Sequence, residues 1–481
     1  MNGKPFYVTT TLPYVNSIAH LGHALEFVQA DIIARYRRLM GDDVFFNTGT
    51  DEHGIKIYRK ALEEGNDPQT YVDEYAQRFK KFCDALNMSY TSFIRTTDPK
   101  HKAAAQEFWL RCMEAGDIYK KNYQVKYCVG CELEKTDSEL EDGKCPIHST
   151  LEIELIDEEN YFFRFARYQK SLLDLYARRP DLVVPDYRFN EIRTFVAIGL
   201  QDFSVSRLKS KMPWGVPVPG DDEQVFFVWF DALINYVSTL GWPEDTEQFE
   251  KFWGIIPSPK ALQLAGKDNL RQQSAMWQAM LISANLPSTR QIVIHGFITS
   301  GGQKMSKSTG NVIDPMTIID EYGTDALRLF LARHIHPFED SDFTMEKFKE
   351  AYNADLANGL GNLAARILTL AEVNLDAPLT RPEPSEIPLE YADAVEKYDY
   401  NAACDFVWKL IGDLDKDLTD KKPFALIKTD PEAGKTMIAE MIGRLYFIAR
   451  LLQPIIPATS DTIKQAILTN KKPANLFPRK E

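Results

Sequence analysis

The chain has 481 residues, 44% of them hydrophobic and 26% charged. That balance excludes a largely disordered chain, and the length exceeds what a single core sustains, so several domains are expected. The net charge of −13 excludes a uniformly basic coat for nucleic acid but not a local basic face.

No apolar run reaches the ~18–20 residues of a membrane span. Met441 to Ala458 comes nearest and is interrupted by Arg444 and Arg450. Met1-Asn2-Gly3-Lys4-Pro5 leads straight into a strand-like run, with no secretory pattern. A cytoplasmic chain without membrane contact is expected.

Residues 5–10 predict a buried strand, followed by a loop holding Pro13, Asn16 and Ser17. Leu21, Leu25, Val28, Ile32, Tyr36 and Leu39 recur at helical spacing, which predicts a helix from about His20 to Met40 that Gly41 stops. Val44 to Asn47 is a second short strand, running into Thr48-Gly49-Thr50-Asp51-Glu52-His53-Gly54. Strand, loop, helix, strand opens a parallel α/β sheet. Helices follow near 68–86 and 100–115. Residues 116–224 change character and read as an insertion between two halves of the sheet domain. The α/β pattern resumes at Val225 to Phe230, read as a strand buried on both faces. A strand at 260–265, a helix at 270–284 and a strand at 291–294 come next. From about residue 353 the chain reads as helical throughout, with residues 377–388 as a long connection.

The six cysteines do not read as a disulfide scaffold. Cys128-Val-Gly-Cys131 and Cys145-Pro-Ile-His148 form a C-x2-C…C-x2-H pattern that suits tetrahedral Zn²⁺. All four positions are protein ligands, so the expected site is structural.

His20-Leu21-Gly22-His23 falls at a strand–loop–helix junction, where unpaired N–H groups and the helix dipole attract phosphate. The two imidazoles share a helix face and can donate to phosphate oxygens as charge develops; Gly22 allows close approach of a nucleotide. Two solvent-facing histidines would look the same from the tetrapeptide alone. Far downstream, Gly301-Gly-Gln-Lys304-Met-Ser-Lys307-Ser308-Thr-Gly310-Asn311 is a glycine-flanked loop whose two lysines suit a leaving pyrophosphate.

Together these segments resemble the HIGH and KMSKS signatures of class I aminoacyl-tRNA synthetases. Thr11-Leu-Pro-Tyr-Val-Asn16, Thr48 to Gly54, and Val228-Trp-Phe-Asp-Ala232 with Tyr236 are similar to the methionyl-tRNA synthetase family, and the resemblance covers essentially the whole chain. It implies a Rossmann-type α/β catalytic domain in two halves, 1–115 and 225–310. The insertion 116–224 bears the zinc knuckle, 311–352 is a linker against the tRNA stem, and 353–481 is an all-α anticodon-binding domain. It implies methionine, ATP with Mg²⁺, and tRNA(Met), including the initiator, as substrates. His20, His23, Lys304 and Lys307 would be catalytic. ATP would meet His20, Gly22, His23, Gly266, Asp268, His295, Gly296, Phe297 and Lys307. Methionine would meet Leu12, Tyr14, Asp51, Trp229, Ala232, Tyr236 and Gln273, with Asp51 taking the ammonium. Asn362, Arg366 and Phe424 would read the anticodon. Without the family's appended tRNA-binding module, which also dimerises some relatives, a monomer is expected.

One departure stands out. Where the family usually has an aromatic–His pair, this chain has Gln272 and Gln273. Activation of a different amino acid is therefore one alternative, and an RNA-binding relative without catalysis is another. Lys307→Ala separates the second: kcat in ATP–pyrophosphate exchange is expected to fall about 10²- to 10³-fold. No difference from the parent would favour the inactive relative.

Overall fold

The computed structural model describes residues 3–131, 133–135, 137–304, 313–380 and 386–480. Its centre is a six-stranded parallel sheet. In chain order the strands are β1 (Pro5–Thr9), β2 (Asp43–Thr50), β3 (Ser92–Arg95), β4 (Val183–Val184), β5 (Ala261–Gly266) and β6 (Gln291–His295). Their order across the sheet is β3-β2-β1-β5-β6-β4.

The alternation of side chains along each strand divides the core in two. Phe6, Val8, Leu262, Leu264 and Val293 point to one face and join helix α1 (Leu21–Leu39) and the C-terminal helices in one apolar cluster. Tyr7, Ala261, Ala265, Ile292 and Ile294 point to the other face, against helix α4 (Pro99–Glu114) and the segment around Phe226 to Trp253. Burial on both faces is why these strands read as nearly continuous apolar runs.

Helix α2 (Ile55–Glu63) follows the loop after β2, and α3 (Pro68–Ala85) starts at Asp67, whose side chain caps the Thr70 N–H. The short α2 was not expected from the sequence.

Residues 116–224 form their own antiparallel structure, with one exception. The long hairpin Ile118–Cys128 and Glu154–Phe163 carries the Cys/His segment at its tip. Val183–Val184 instead returns to the parallel sheet as its edge strand β4.

The expected strand over Val225 to Phe230 is corrected. The strand is Asp221–Phe226, antiparallel to Ser206–Leu208, and Val228–Ala232 is a short helix, α5. Apart from the half-buried Trp229 these residues are buried as expected, but a short apolar run does not distinguish a buried strand from a buried helical turn.

Beyond residue 353 the described residues contain helices and no strand. Asp399 and Asp430 cap Tyr400–Lys421 and Pro431–Leu452 by accepting from backbone N–H groups, and proline opens several of these helices. Among the described residues no helix is long and apolar enough to cross a membrane.

A buried ion pair ties this helical part to α1. Arg328 lies 2.8 Å from Asp31 of α1, both with no exposed side-chain surface. Its guanidinium also donates to the carbonyls of Leu86, Pro454 and Ile455. Asp31 also accepts from Arg35 and from Ser89. Burial alone would raise the Asp31 pKa, but Arg328 and Arg35 outweigh it and hold the carboxyl below its ordinary range. Its contribution to stability is therefore complete above the unfolded-state value near ~3.9 and is lost as pH falls through the lower folded value. Arg328→Met is expected to lower the unfolding free energy by about 3–5 kcal/mol at pH 7. Urea unfolding checks this, and a loss below ~1 kcal/mol, the scale of an exposed ion pair, would contradict it.

Candidate active site

The strand order turns back at β1: β2 lies on one side of it and β5 on the other. The connections leaving β1 and β5 pack on opposite faces, α1 in one core cluster and Trp277–Ser283 in the other. This leaves a crevice at the C-terminal ends of β1 and β5, the position where open parallel sheets bind ligands.

The sequence-predicted histidines stand at that crevice. His20 is the extended residue capping α1, and His23 occupies its first turn. The Gly22 N–H donates to His20 Nδ1 (3.1 Å), and the His20 N–H donates to His23 Nδ1 (3.2 Å). With Nδ1 accepting in both rings, the proton that each ring can donate sits on Nε2. The rings stack with centroids 3.9 Å apart. Burial, and then the neighbouring His20, push His23 well below its ordinary range, so it is a neutral N–H donor at pH 7. A Cβ on Gly22 would sit 2.9 Å from the His20 ring, so glycine lets that ring fold over the helix end.

Glu26, one turn further along α1, was not singled out from the sequence. It accepts from the N–H (2.6 Å) and hydroxyl (2.7 Å) of Thr11, just past β1, and its other oxygen lies 2.9 Å from His295 Nε2 at the end of β6. Burial would lower the His295 pKa, but the hydrogen bond and charge of Glu26 reverse that and raise it.

Gly266 ends β5, and a Cβ there would meet the Asp268 carboxylate at 2.8 Å and the His295 ring at 3.5 Å. Gly266, Asp268 and His295 are thus brought together. Gly296 packs on the backbone of Glu339 and Asp340, and the Phe297 N–H donates to Asp340 (2.9 Å). Lys267 bonds Asp340 (2.6 Å) and lies over the Phe297 ring, 4.5 Å from its centroid.

Just beyond, Ile298–Ser300 and Gln303–Lys304 form a hairpin whose turn residues Gly301 and Gly302 both have positive φ. The Gly302 N–H is held by Asp342 (2.8 Å). The backbone of Lys304 therefore follows closely on β6. Met305 to Val312, including Lys307, lie outside the described residues.

Facing this group are the residues expected to hold an amino acid. Tyr14 and Asp51 are parallel bridge partners: Asp51 N–H donates to Pro13 O (3.0 Å) and Val15 N–H to Asp51 O (3.2 Å). Leu12 thus lies in the same strand-end loop, and Asp51 is 3% exposed. Trp229 and Ala232 are on α5, and Tyr236 follows in Asn235–Ser238. Tyr14 and Trp229 pack against one small apolar cluster, Tyr127, Phe162, Phe227 and Val228.

Gln272 and Gln273 lie in a π-helical turn, Gln272–Met276, after β5. Gln273 is buried and its amide donates to the Tyr236 hydroxyl (2.7 Å). Tyr7 donates to the Tyr236 carbonyl (2.8 Å). The amide therefore takes up a position against Tyr236, and the phenolic proton remains available to a further acceptor.

The Cys/His cluster satisfies its expectation geometrically. One ligand atom from each of Cys128, Cys131, Cys145 and His148 lies within 4.8 Å of the others. The His148 Nδ1 is 3.3–4.0 Å from the three sulfurs. Tetrahedral Zn²⁺ with bonds of about 2.0–2.3 Å needs ligand separations of this size. A Cβ on Gly130 would lie 2.3 Å from the His148 ring, so glycine is required for the turn to close. The residues present fit the metal.

The expected anticodon contacts are on the helical part. Asn362 is exposed at the start of Asn362–Asn374. Arg366, one turn on, pairs with Asp415 (2.5 Å). Phe424 is 48% exposed, in the turn after the left-handed Lys422.

A Rossmann-type crevice with a histidine pair at the first helix, a hairpin-borne lysine past the last central strand and an all-α tail defines a class I aminoacyl-tRNA synthetase. The family model described as "tRNA synthetases class I (M)" matches residues 6–154 and 136–368. A methionine–tRNA ligase of Nostoc sp. is 41% identical, covering 96% of this chain and 90% of its own. That of Thermotoga maritima is 39% identical, covering 98% and 76%. The Mycobacterium tuberculosis methionyl-tRNA synthetase in complex with methionyl-adenylate superposes with a TM-score of 0.90 at 34% identity, over 99% of this chain and all of that one. The chain belongs to the methionine–tRNA ligase family.

Elemental analysis is expected to find about one zinc per chain, and chelation should unfold the hairpin tip, since such metals contribute roughly 10–16 kcal/mol to local folding. Zinc-free protein with full activity and unchanged hydrogen exchange at residues 128–148 would contradict this reading.

Proposed function

We propose that the chain activates L-methionine with ATP, releasing pyrophosphate, and passes the methionyl group from the adenylate to the 3′-terminal adenosine of tRNA(Met), initiator tRNA included. The observation that carries this reading is the convergence of the His20–His23 pair, the Gly266–Asp268 turn and Asp51 on one crevice.

In the first step the methionine carboxylate attacks the α-phosphorus and pyrophosphate leaves. Asp51 and the Leu12 carbonyl hold the ammonium, which aims the carboxylate. Tyr14, Trp229, Ala232 and Tyr236 wall the thioether, and Gln273 orients the Tyr236 hydroxyl toward the sulfur. Polarisable sulfur packs favourably on such rings, by roughly 0.3–1.5 kcal/mol per contact.

His20 and His23 donate from Nε2 to phosphate oxygens as charge grows, and Lys304 and Lys307 neutralise the leaving pyrophosphate. Neutral imidazoles suit this task because their protons are fixed before the reaction starts. Asp268 accepts from the ribose hydroxyls, while the backbone at His295, Gly296 and Phe297 lines the adenine. Mg²⁺ brought with ATP would screen the phosphate charge. In the second step a ribose hydroxyl of the tRNA attacks the methionyl carbonyl, and AMP leaves.

Cys128, Cys131, Cys145 and His148 would hold a structural Zn²⁺, which would close the tip of the insertion hairpin. Asn362, Arg366 and Phe424 read anticodon bases, Phe424 by stacking. The enzyme works in the cytoplasm, where its three substrates meet.

An amino-acid panel in ATP–pyrophosphate exchange tests the reading. Methionine is expected to exceed every other natural amino acid by at least ~10²-fold in kcat/KM, as a pocket that differs by more than a methylene permits. A different preferred amino acid would assign Gln272 and Gln273 a new specificity.

A further inference from the structure

Behind the amino-acid pocket lies a buried charge cluster that the mechanism does not use. Asp231 of α5 has no exposed surface, and each of its oxygens meets a histidine. Oδ2 lies 2.6 Å from His53 Nδ1, and Oδ1 lies 2.9 Å from His101 Nε2. His53 and His101 are themselves buried, at 2% and 0% exposure. The other His101 nitrogen meets the Ser238 hydroxyl at 2.8 Å. Burial would raise the Asp231 pKa, but the two histidines outweigh it and keep the carboxyl ionised.

The placement of these residues is informative. His53 is two residues past Asp51, in the loop leaving β2. Asp231 lies between Trp229 and Ala232 on α5. His101 belongs to α4, which packs against α5. The far side of the β2 loop is fastened as well. Glu52 takes a two-pronged ion pair from Arg95 (2.7 and 2.9 Å), and its carbonyl accepts from the Trp214 indole (2.6 Å). The loop carrying the ammonium anchor is therefore joined to the helix carrying the thioether wall through one carboxylate.

We propose that Asp231, clamped between His53 and His101, is a positioning residue that sets the distance between the Asp51 carboxylate and the Trp229–Ala232 wall, and so gauges the length of the amino acid. This rests on the reading of Asp51 as the ammonium ligand and of Trp229 and Ala232 as the wall. A carboxylate is suited to the task because it accepts from two rings along fixed directions, and its burial makes misalignment costly. Loosening it leaves the nucleotide side alone, since His20, His23, Glu26 and Asp268 share none of its hydrogen bonds.

The test uses Asp231→Asn, which keeps the shape and removes one acceptor, and His53→Leu, which removes one donor. His53→Asn is the conservative variant, because its amide nitrogen falls near the imidazole Nδ1. In pyrophosphate exchange by the full chain, the first two are expected to raise KM for methionine about ten- to a hundredfold, the scale of a misplacement near 1 Å. KM for ATP should stay within about twofold, and the kcat/KM ratio of methionine over ethionine, one methylene longer, should fall severalfold. His53→Asn should restore most of both values. The proposal is overturned if KM for methionine and ATP rise together, if the ethionine ratio is unchanged, or if only thermal stability drops. Should Asp231→Asn fail to fold, the His53 pair decides alone. Asp51→Asn serves as the control: if it leaves the KM for methionine unchanged, the assignment of the ammonium site fails, whatever the Asp231 and His53 variants do.

Discussion

Glu26 joins the start of α1 to the strand ends around the crevice. A parallel sheet provides strand ends but does not by itself hold the loops beyond them in register. Glu26 reaches from α1 to the chain after β1 through Thr11, and to the end of β6 through His295. The connection that runs from β1 into α1 and the end of β6 are thereby fixed around one crevice. The two Thr11 donors and the ring N–H satisfy a carboxylate that would otherwise be costly to bury. The same contacts place the first turn of α1, with its histidine donors, opposite the Gly266–Asp268 turn.

The rest of the molecule repeats this device on a larger scale. Asp31, five residues further along α1, receives Arg328 and so joins this helix to Pro454 and Ile455 in the helical part. Asp231 joins the loop after β2 to α5. In each case a buried acid with several donors connects elements distant in sequence, where apolar packing alone would leave their relative position less strictly defined. Removing one partner of such a group is costly because the remaining charge stays buried. The start of α1, the loop after β2 and the junction with the helical part are thus organised by separate carboxylates that, among the described residues, have no hydrogen bonds in common.

Much of this was legible in the residues. The strand–loop–helix–strand opening, the long α1 and the all-helical tail followed from apolar periodicity, and Cys128, Cys131, Cys145 and His148 from ligand spacing. The crevice residues His20, His23, Asp51 and Asp268 came from short motifs and a family resemblance. Periodicity failed at Val225 to Phe230, because continuous burial looks the same in a strand and in a helical turn. It also could not place Val183–Val184, too short to carry a pattern, in the parallel sheet. The organising acids were missed for a different reason. Glu26, Asp31 and Asp231 are lone charges inside apolar runs, such as Leu25-Glu26-Phe27 and Phe230-Asp231-Ala232. That signal marks a buried acid, but its partners lie up to hundreds of residues away and only the fold reveals them.

The central claim is that paired imidazoles, the twin-lysine loop and Asp51 serve one adenylating centre. A crystal structure of the chain with ATP and methioninol, which lacks the attacking carboxylate, tests it most directly. The amine is expected on Asp51 and the triphosphate within hydrogen-bond reach of both His23 Nε2 and Lys307 Nζ. An amine bound away from Asp51, or a triphosphate that contacts neither the histidines nor Lys307, would contradict it.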